Sequence, residues 1–142
     1  MQRSCYENSV VGGQLSISEQ NLTVLLVEDQ DHMLRYSQKL LKKLNVQVIC
    51  AQNGVEGLQA LSQHKVDLIL TDIMMPEMDG FEFCEEVRMQ SDTHDIPIIV
   101  HSSNHDSHHV IKALRLGADD FVAKTCNIAL LEAVMERALS RV

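Results

Sequence analysis

Five short aliphatic runs alternate with five amphipathic segments along the chain, and this alternation constrains the fold more than any other feature. Short runs rich in β-branched residues are typical of strands buried on both faces, whereas the segments between them place apolar residues at helical spacing. The predicted strands span 22–27, 46–51, 67–71, 96–101 and 119–123. The predicted helices span 31–44, 81–89 and 106–116, with two more that follow the N-caps Asn53 and Asn127. In the last helix the residues expected to face inward are Leu130, Leu131, Val134, Met135 and Ala138.

Strands that alternate with helices predict an α/β fold, in which a parallel sheet is covered by helices on both faces. Right-handed crossovers leave few arrangements, and we expect the doubly wound order 2-1-3-4-5. In that order the ligand crevice lies at the carboxyl ends of the first and third strands. The five strands and five helices fill residues 21–142 as one domain. Residues 1–20 lack periodicity and are expected to form a flexible N-terminal extension.

Charge and composition exclude several classes of protein. The formal net charge is −8, so bulk electrostatics argues against direct binding of nucleic acid. No segment has the roughly 20 consecutive apolar residues that span a bilayer, and the N-terminus lacks a signal-peptide run. The four cysteines form no CxxC pair and are expected to be reduced thiols. We therefore expect a cytoplasmic protein that does not associate with membranes.

Acidic side chains follow two of the predicted strands. Glu28 and Asp29 come directly after the first strand, and Asp72 follows the third. The fold brings these carboxylates to one crevice, where their mutual repulsion favours a bound cation. Oxygen ligands select Mg²⁺, Mn²⁺ or Ca²⁺, and a few carboxylates with waters and a phosphate are typical of Mg²⁺. A carboxylate can also attack phosphorus and form an aspartyl phosphate.

A hydroxyl and an ammonium group are predicted at the same edge of the sheet. Ser102 lies just past the fourth predicted strand and Lys124 just past the fifth. A lysine would assist phosphoryl transfer electrostatically, and a hydroxyl could hydrogen-bond the attached phosphate. Each residue alone has an ordinary explanation, as a helix cap, a turn residue or a solvated charge. Five of them at the ends of four strands make a shared site the better interpretation.

Together these motifs resemble the receiver domains of two-component response regulators. VLLVED at 24–29 is similar to the family's first strand and acidic pair, and TDIMMPEMDG at 71–80 is similar to its phosphoacceptor loop. GADDF at 117–121 is similar to the approach to its fifth strand. Ser102 and Lys124 stand 30 and 52 positions past Asp72, as the family's hydroxyl residue and lysine do. The resemblance covers about residues 21–142 and implies a flavodoxin-like fold.

The resemblance also implies a role for each matched residue. Asp72 would be phosphorylated, and Mg²⁺ would be bound by Glu28, Asp29, Asp72 and the backbone carbonyl of Met74. Lys124 would pair with Asp72 and then with the phosphoryl oxygens. Ser102 would move toward the phosphate and Phe121 would turn inward behind it. This switch would reshape the face made by the fourth helix, fifth strand and fifth helix.

The partners implied are a histidine kinase or phosphotransfer protein as donor, and a downstream protein or a missing output domain as receiver of the signal. The switch face could also support a homodimer. The domain would catalyse only its own phosphorylation from a donor and its own dephosphorylation. After the fifth helix only Arg141 and Val142 remain, so the chain is interpreted as a stand-alone receiver or as a fragment of a longer regulator.

Four features depart from the family pattern or lie outside it. Thr125 follows Lys124 where the family usually has proline, so we expect a trans bond with a rearranged loop or a strained cis bond. The resemblance implies that Met74 and Asn104 occupy positions that would tune attack of water on the phosphate. The neighbouring histidines His105, His108 and His109 could suggest zinc, but a solvated helix start is the preferred interpretation. His101 is expected at the edge of the core.

Other functions on this fold fit less well. A flavin-binding protein would need a Ser/Thr/Gly-rich phosphate loop where Glu28 and Asp29 stand. A phosphatase of the haloacid-dehalogenase type would need a second Asp at position 74, which is Met74. A phosphorylation-independent interaction module stays open as an alternative, although such modules typically lose an acidic residue that this chain keeps.

Overall fold

We describe the protein from a computed structural model, in which residues 10–11, 14–103 and 106–140 are described. An antiparallel pair, β1 (Val10–Val11) and β2 (Gln14–Leu15), and a 3₁₀ turn (Ile17–Glu19) precede the main sheet. The main-sheet strands are β3 (Thr23–Val27), β4 (Gln47–Ala51), β5 (Leu68–Thr71), β6 (Ile98–Ser102) and β7 (Asp120–Ala123). The helices are α1 (Asp31–Lys43), α2 (Gly54–Gln63), α3 (Gly80–Met89), α4 (Ser107–Arg115) and α5 (Ile128–Leu139).

The main sheet is parallel throughout and has the order β4-β3-β5-β6-β7. Counted along the chain this is the order 2-1-3-4-5, so the predicted doubly wound fold is confirmed. The central strands β3 and β5 are neighbours, with Val27 opposite Thr71. At the other side of the sheet Ser102 in β6 lies opposite Ala123 in β7. The residues that follow these strand ends therefore emerge at one edge.

Two hydrophobic cores lie on opposite faces of the sheet. One is covered by α2, α3 and α4 and contains Phe83, which is fully buried. The other is covered by α1 and α5 and contains Leu41 and Leu131, also fully buried. Successive strand residues alternate between these cores, since side chains point to opposite faces of a pleated strand. No described helix combines the length and the apolar composition that crossing a membrane requires.

Three side chains differ from the sequence-based expectation. Ser102 is the last residue of β6 and not a residue past it, since β6 begins at Ile98 and ends later than predicted. Leu130 was expected to face inward from α5, but it is 49% exposed, because the buried stripe of that helix runs through Leu131, Met135 and Ala138. Ile17 lies within the segment predicted as a flexible extension, yet it is fully buried in the α1–α5 core.

Side-chain oxygens cap four of the helices and fix where the preceding loops end. Asn53 accepts a hydrogen bond from the backbone N of Glu56, and Asn127 accepts one from that of Leu130, so both predicted caps are confirmed. Asp79 caps α3 and Asp106 caps α4 in the same way. The N-cap of α1 is Gln30, whose side chain makes no capping hydrogen bond. Asp29 is therefore not used as the cap of α1.

Arg88 of α3 ties several segments together at the amino end of the sheet. Its guanidinium donates hydrogen bonds to the carbonyl oxygens of Gly117 (3.0 Å), Ile96 (2.7 Å) and His94 (3.1 Å). It also pairs with Asp119 at 2.9 Å. Gly117 has a φ of +119° and packs so closely on Arg88 that a Cβ there would lie 2.6 Å from the Arg88 side chain. We call this group the Arg88 clamp.

Candidate functional site

Three carboxylates converge at the carboxyl edge of the sheet. Glu28 and Asp29 follow β3, and Asp72 follows β5, its neighbour in the sheet. The strand ends are held by backbone hydrogen bonds from Glu28 to Ala51 (2.9 Å) and from Asp72 to Val27 (3.0 Å). One carboxylate oxygen from each of the three acids lies within 4.8 Å of the others. The structure thus brings together the acidic residues that the sequence placed at one crevice.

Lys124 lies among these acids. Its Nζ is 2.8 Å from Oδ2 of Asp72 and 2.5 Å from Oε1 of Glu28, and all three side chains are buried. The lysine follows β7, and its backbone N donates to the carbonyl of Ser102, which aligns the ends of β6 and β7. The bond from Lys124 to Thr125 is trans, which is one of the two arrangements expected for a loop without proline.

Burial and charge shift the pKa values of two of these groups. Burial raises the pKa of Glu28, and the charge of Asp72 adds to this, while Lys124 acts in the opposite direction. Burial alone would lower the pKa of Lys124, but its hydrogen bonds to Asp72 and Glu28 outweigh that effect and raise it. The ammonium therefore stays charged at neutral pH and compensates part of the acidic charge.

Asp72 is oriented by its own loop. Its Oδ1 accepts a hydrogen bond of 2.7 Å from the backbone N of Ile73, while Oδ2 faces Lys124. The start of α3 folds back on this loop, and the N–H of Gly80 donates to the carbonyl of Ile73 at 2.7 Å. A Cβ at Gly80 would lie 2.2 Å from the carbonyl oxygen of Asp72, so only glycine permits this approach. The sequence alone did not indicate this requirement, because Gly80 was considered only as the last residue of the motif at 71–80.

The remaining predicted site residues lie around this cluster. Ser102 is 1% exposed at the end of β6, in the strand next to β5. Phe121 is partly buried and packs against the core beneath α2, α3 and α4. The side chain of Met74 is 62% exposed, and only its backbone is a candidate metal ligand. Asn104 and His105 lie outside the described residues.

The histidines divide into surface and buried groups. His108 is exposed on α4, and His109 stacks on Phe81 with ring centroids 5.9 Å apart. Across the described parts of the chain, the potential metal-binding group is the acidic trio, and the histidines form none. His101, expected at the edge of the core, is 2% exposed, and its Nε2 has no hydrogen-bond partner. Burial, assisted by the nearby charge of Lys124, lowers the pKa of His101 to about 4.

His101 is expected to make the protein sensitive to acid. Its folded-state pKa is lowered from 6.5 to about 4, so its contribution to stability is present above pH 6.5 and is lost as the pH falls toward 4. A shift of this size corresponds to a loss on the order of 3 kcal/mol. Urea unfolding of the parent chain and of His101→Leu at pH 7 and pH 4 should show a smaller loss for the variant. Equal losses in the two proteins would contradict this assignment.

Comparison with known families gives a consistent result. Residues 24–136 match the family model for the response regulator receiver domain. The chain is 38% identical over 119 residues to the probable transcriptional regulator ycf27 of Cyanidium caldarium, covering 84% of this chain and 47% of that protein. It is 33% identical over 118 residues to the response regulator ArlR of Staphylococcus aureus strain Mu50, covering 83% and 52%. The chain thus spans about half the length of these relatives.

Solved structures show the same architecture. The receiver domain of a signal transduction histidine kinase from Syntrophus aciditrophicus is 35% identical, with a TM-score of 0.77 and coverage of 85% of this chain and 92% of that one. The receiver domain of a sensor histidine kinase from Pseudomonas aeruginosa PAO1 is 26% identical, with a TM-score of 0.79 and coverage of 84% and 98%. That structure has a magnesium ion coordinated in its active-site cleft.

Proposed function

Because the chain belongs to the response regulator receiver family, we propose that Asp72 accepts a phosphoryl group in two-component signal transduction and that the phosphate switches a protein-binding face. The observation that carries the proposal is the position of the Lys124 ammonium between Asp72 and Glu28. A cation held there can stabilise the negative charge that builds up on a transferring phosphoryl group. An isolated buried acid without such a partner would be protonated instead of nucleophilic.

In the proposed reaction a carboxylate oxygen of Asp72 forms a bond to the phosphorus atom of the donor, and the bond from phosphorus to the donor atom breaks. Donation from the backbone N of Ile73 fixes Oδ1, so the carboxylate is already oriented before the donor arrives. Lys124 contacts Oδ2 and would shift its contact to the phosphoryl oxygens as the bond forms. Ser102, at the end of the next strand, would then donate its hydroxyl hydrogen to the attached phosphate.

The donor set of the acidic trio fits a hard divalent cation, Mg²⁺ or Mn²⁺, because all three side chains offer carboxylate oxygens within 4.8 Å of one another. Glu28, Asp29 and Asp72, with the backbone carbonyl of Met74, would hold it directly or through water. When bound, such an ion neutralises charge on the transferring phosphoryl oxygens. The magnesium-containing receiver domain from Pseudomonas aeruginosa supports this proposal.

We further propose that the output face consists of α4, β7 and α5. Phe121 in β7 would turn inward as Ser102 moves toward the phosphate, which couples the site to that face. Leu114 and Leu130 are 45% and 49% exposed there, so a partner would bury apolar surface. The donor would be a histidine kinase or phosphotransfer protein, and the partner a downstream protein or an output domain. The sequence-based expectation of a homodimer concerns this same face.

The chain would then work in the cytoplasm and catalyse only its own phosphorylation and dephosphorylation. The second candidate is the receiver portion of a longer regulator, since the chain spans only about half the length of the regulators it matches. In either case the net charge of −8 argues that this domain does not itself contact nucleic acid.

Incubation with acetyl phosphate and Mg²⁺ tests the proposal directly. Intact-mass measurement should show one added phosphoryl group, and chelation of the divalent ion should prevent its addition. The variant Glu28→Gln/Asp29→Asn should react no faster with Mg²⁺ than after chelation of the ion, because it loses two of the three carboxylate ligands. Asp92→Asn, at an exposed surface position, is a suitable control with unchanged reactivity. A parent chain that never acquires a phosphoryl group would favour the interaction module instead.

A further inference from the structure

Two neighbouring helices present opposite charges to solvent. The outward face of α3 carries Glu82, Glu85 and Glu86 together with Met89, which is 76% exposed. The outward face of α4 carries His108, Lys112 and Arg115 together with Ile111, which is 47% exposed. These four α4 side chains and Leu116 line a shallow groove of about 470 Å³. An acidic strip thus lies beside a basic one, each with a large exposed apolar side chain.

The two strips are not neutralised within the chain. In the described segments, the ion pairs join Arg88 to Asp119, Arg137 to Asp120, and Lys124 to the acidic site. The α3 glutamates and Arg115 take part in none of them, and Lys112 instead lies 4.4 Å from the ring centroid of Phe81. The charged groups of the α4–β7–α5 face differ, since Arg137 already has Asp120 as its partner.

We propose that the α3–α4 face binds a second copy of this chain across a two-fold axis. A two-fold interface is self-complementary. When α3 of one copy contacts α4 of the other, α4 of the first copy contacts α3 of the second in the same way. α3 and α4 run parallel, since both cover the same face of a parallel sheet. A two-fold axis that lies in the interface and runs parallel to both helices therefore sets α3 of one copy against α4 of the other, with the two helices running in the same direction. Each acidic strip then meets a basic strip.

The spacing of the charges supports this register. Glu82 and Glu85 are three residues apart, as are Lys112 and Arg115. Because the facing helices run in the same direction, Glu82 lies opposite Lys112 of the second copy when Glu85 lies opposite its Arg115. The same register sets Met89 against the carboxyl end of α4, where its side chain can cover the part of the groove that Leu116 lines. Residues three and four apart share one helical face, so all these contacts form together.

This association is weak and sensitive to salt. Exposed ion pairs each contribute about 0.2–1 kcal/mol and are screened within roughly 10 Å at 0.1 M salt. Each copy also carries a net charge of −8, so long-range repulsion opposes the local attraction. We therefore expect a concentration-dependent equilibrium between monomer and dimer that shifts toward monomer as salt increases. Because α4 belongs to both faces, the dimer leaves only β7 and α5 of the proposed output face uncovered.

Sedimentation velocity of two charge-reversed chains provides the test. Glu82→Lys/Glu85→Lys makes both strips basic, and Lys112→Glu/Arg115→Glu makes both acidic, so each variant alone should associate at least about tenfold more weakly than the parent chain. An equimolar mixture of the two should recover the dimer, because every facing pair is again opposite in charge. Recovery cannot come from a misfolded chain, so it separates loss of the interface from loss of folding.

Matched variants complete the experiment. Lys42→Glu/Lys43→Glu changes the net charge of exposed α1 positions by the same amount as the α4 variant and should leave the dimer intact. The single variants Glu85→Lys and Arg115→Glu repeat the mixing test without disturbing the contact of Lys112 with Phe81. A parent chain that stays monomeric at all concentrations would overturn the proposal. So would a dimer that survives both α3 and α4 reversals but is lost in Leu130→Glu, which would place the second copy on the output face.

Discussion

Asp72→Asn is expected to abolish phosphorylation of the chain by acetyl phosphate. The amide lacks the anionic oxygen that attacks phosphorus, so no stable acyl phosphate can form at this position. Asparagine keeps the shape of the side chain and can still accept the 2.7 Å hydrogen bond from Ile73, so the loop should keep its conformation. Lys124 also keeps Glu28 as a partner. The loss of reactivity should therefore occur in a folded protein.

Intact-mass measurement over a time course is the readout, with circular dichroism to confirm folding of the variant. The expected result is no phosphoryl adduct at any time, against one adduct on the parent chain. Asp92→Asn removes a carboxylate from an exposed position and should react like the parent. A stable adduct on Asp72→Asn would show that another residue is the acceptor, and the assignment of Asp72 would have to be abandoned.

Lys124→Gln is expected to impair both reactivity and folding. Removing one preorganised hydrogen-bond donor that stabilises the transition state typically slows a reaction by about 10²–10³-fold. The variant also leaves Glu28 and Asp72 buried and facing each other without their shared cation. Breaking a buried ion pair from one side typically costs about 3–5 kcal/mol, and we expect a loss of this order in buffer without divalent ions.

The destabilisation of Lys124→Gln should depend on pH in a definite direction. The folded-state pKa of Glu28 is already raised by burial and by Asp72, and removing Lys124 raises it further. An acid with a raised folded-state pKa loses stability as the pH rises above its unfolded value of about 4.5. The difference between parent and variant should accordingly shrink as the pH falls toward 4.5.

Urea unfolding of parent and variant between pH 4.5 and pH 8, in buffer free of divalent ions, measures this difference. Lys65→Gln removes an exposed ammonium and serves as the matched control, with a change close to zero. Addition of Mg²⁺ at neutral pH should restore part of the lost stability if the acidic trio binds it. A Lys124→Gln protein that is as stable as the parent and is phosphorylated at the same rate would contradict the role given to this lysine.

The sequence predicted the sheet well because the relevant signals are local. Buried parallel strands appear as short aliphatic runs, and their carboxyl ends share one edge whatever the details of packing. The convergence of Glu28, Asp29 and Asp72 with Lys124 follows from that topology alone. The topology does not determine how the side chains are placed within the site. The resemblance implied a contact of Lys124 with Asp72, whereas the additional contact with Glu28 depends on the path of one side chain.

Other features depend on packing between distant segments. Leu130 was assigned to the buried face of α5, but the rotation of that helix on the sheet is set by the residues beneath it. Ile17 was left in an extension because no periodic pattern surrounds it, and its burial comes from packing into the core between the sheet and helices α1 and α5. Arg88 gave no signal, since its acceptors are backbone carbonyls whose positions only the folded chain determines.

The Arg88 clamp fixes one end of α4 and leaves the other end near the site. Arg88 holds the carbonyl of Gly117, directly after α4, and also pairs with Asp119. The opposite end of the helix begins at its Asp106 cap, only a few residues after Ser102. Because the carboxyl end of α4 is held in this way, a small displacement at its amino end would tilt the helix about Gly117. Ångström-scale chemistry at one edge of the sheet would thereby become an angular movement.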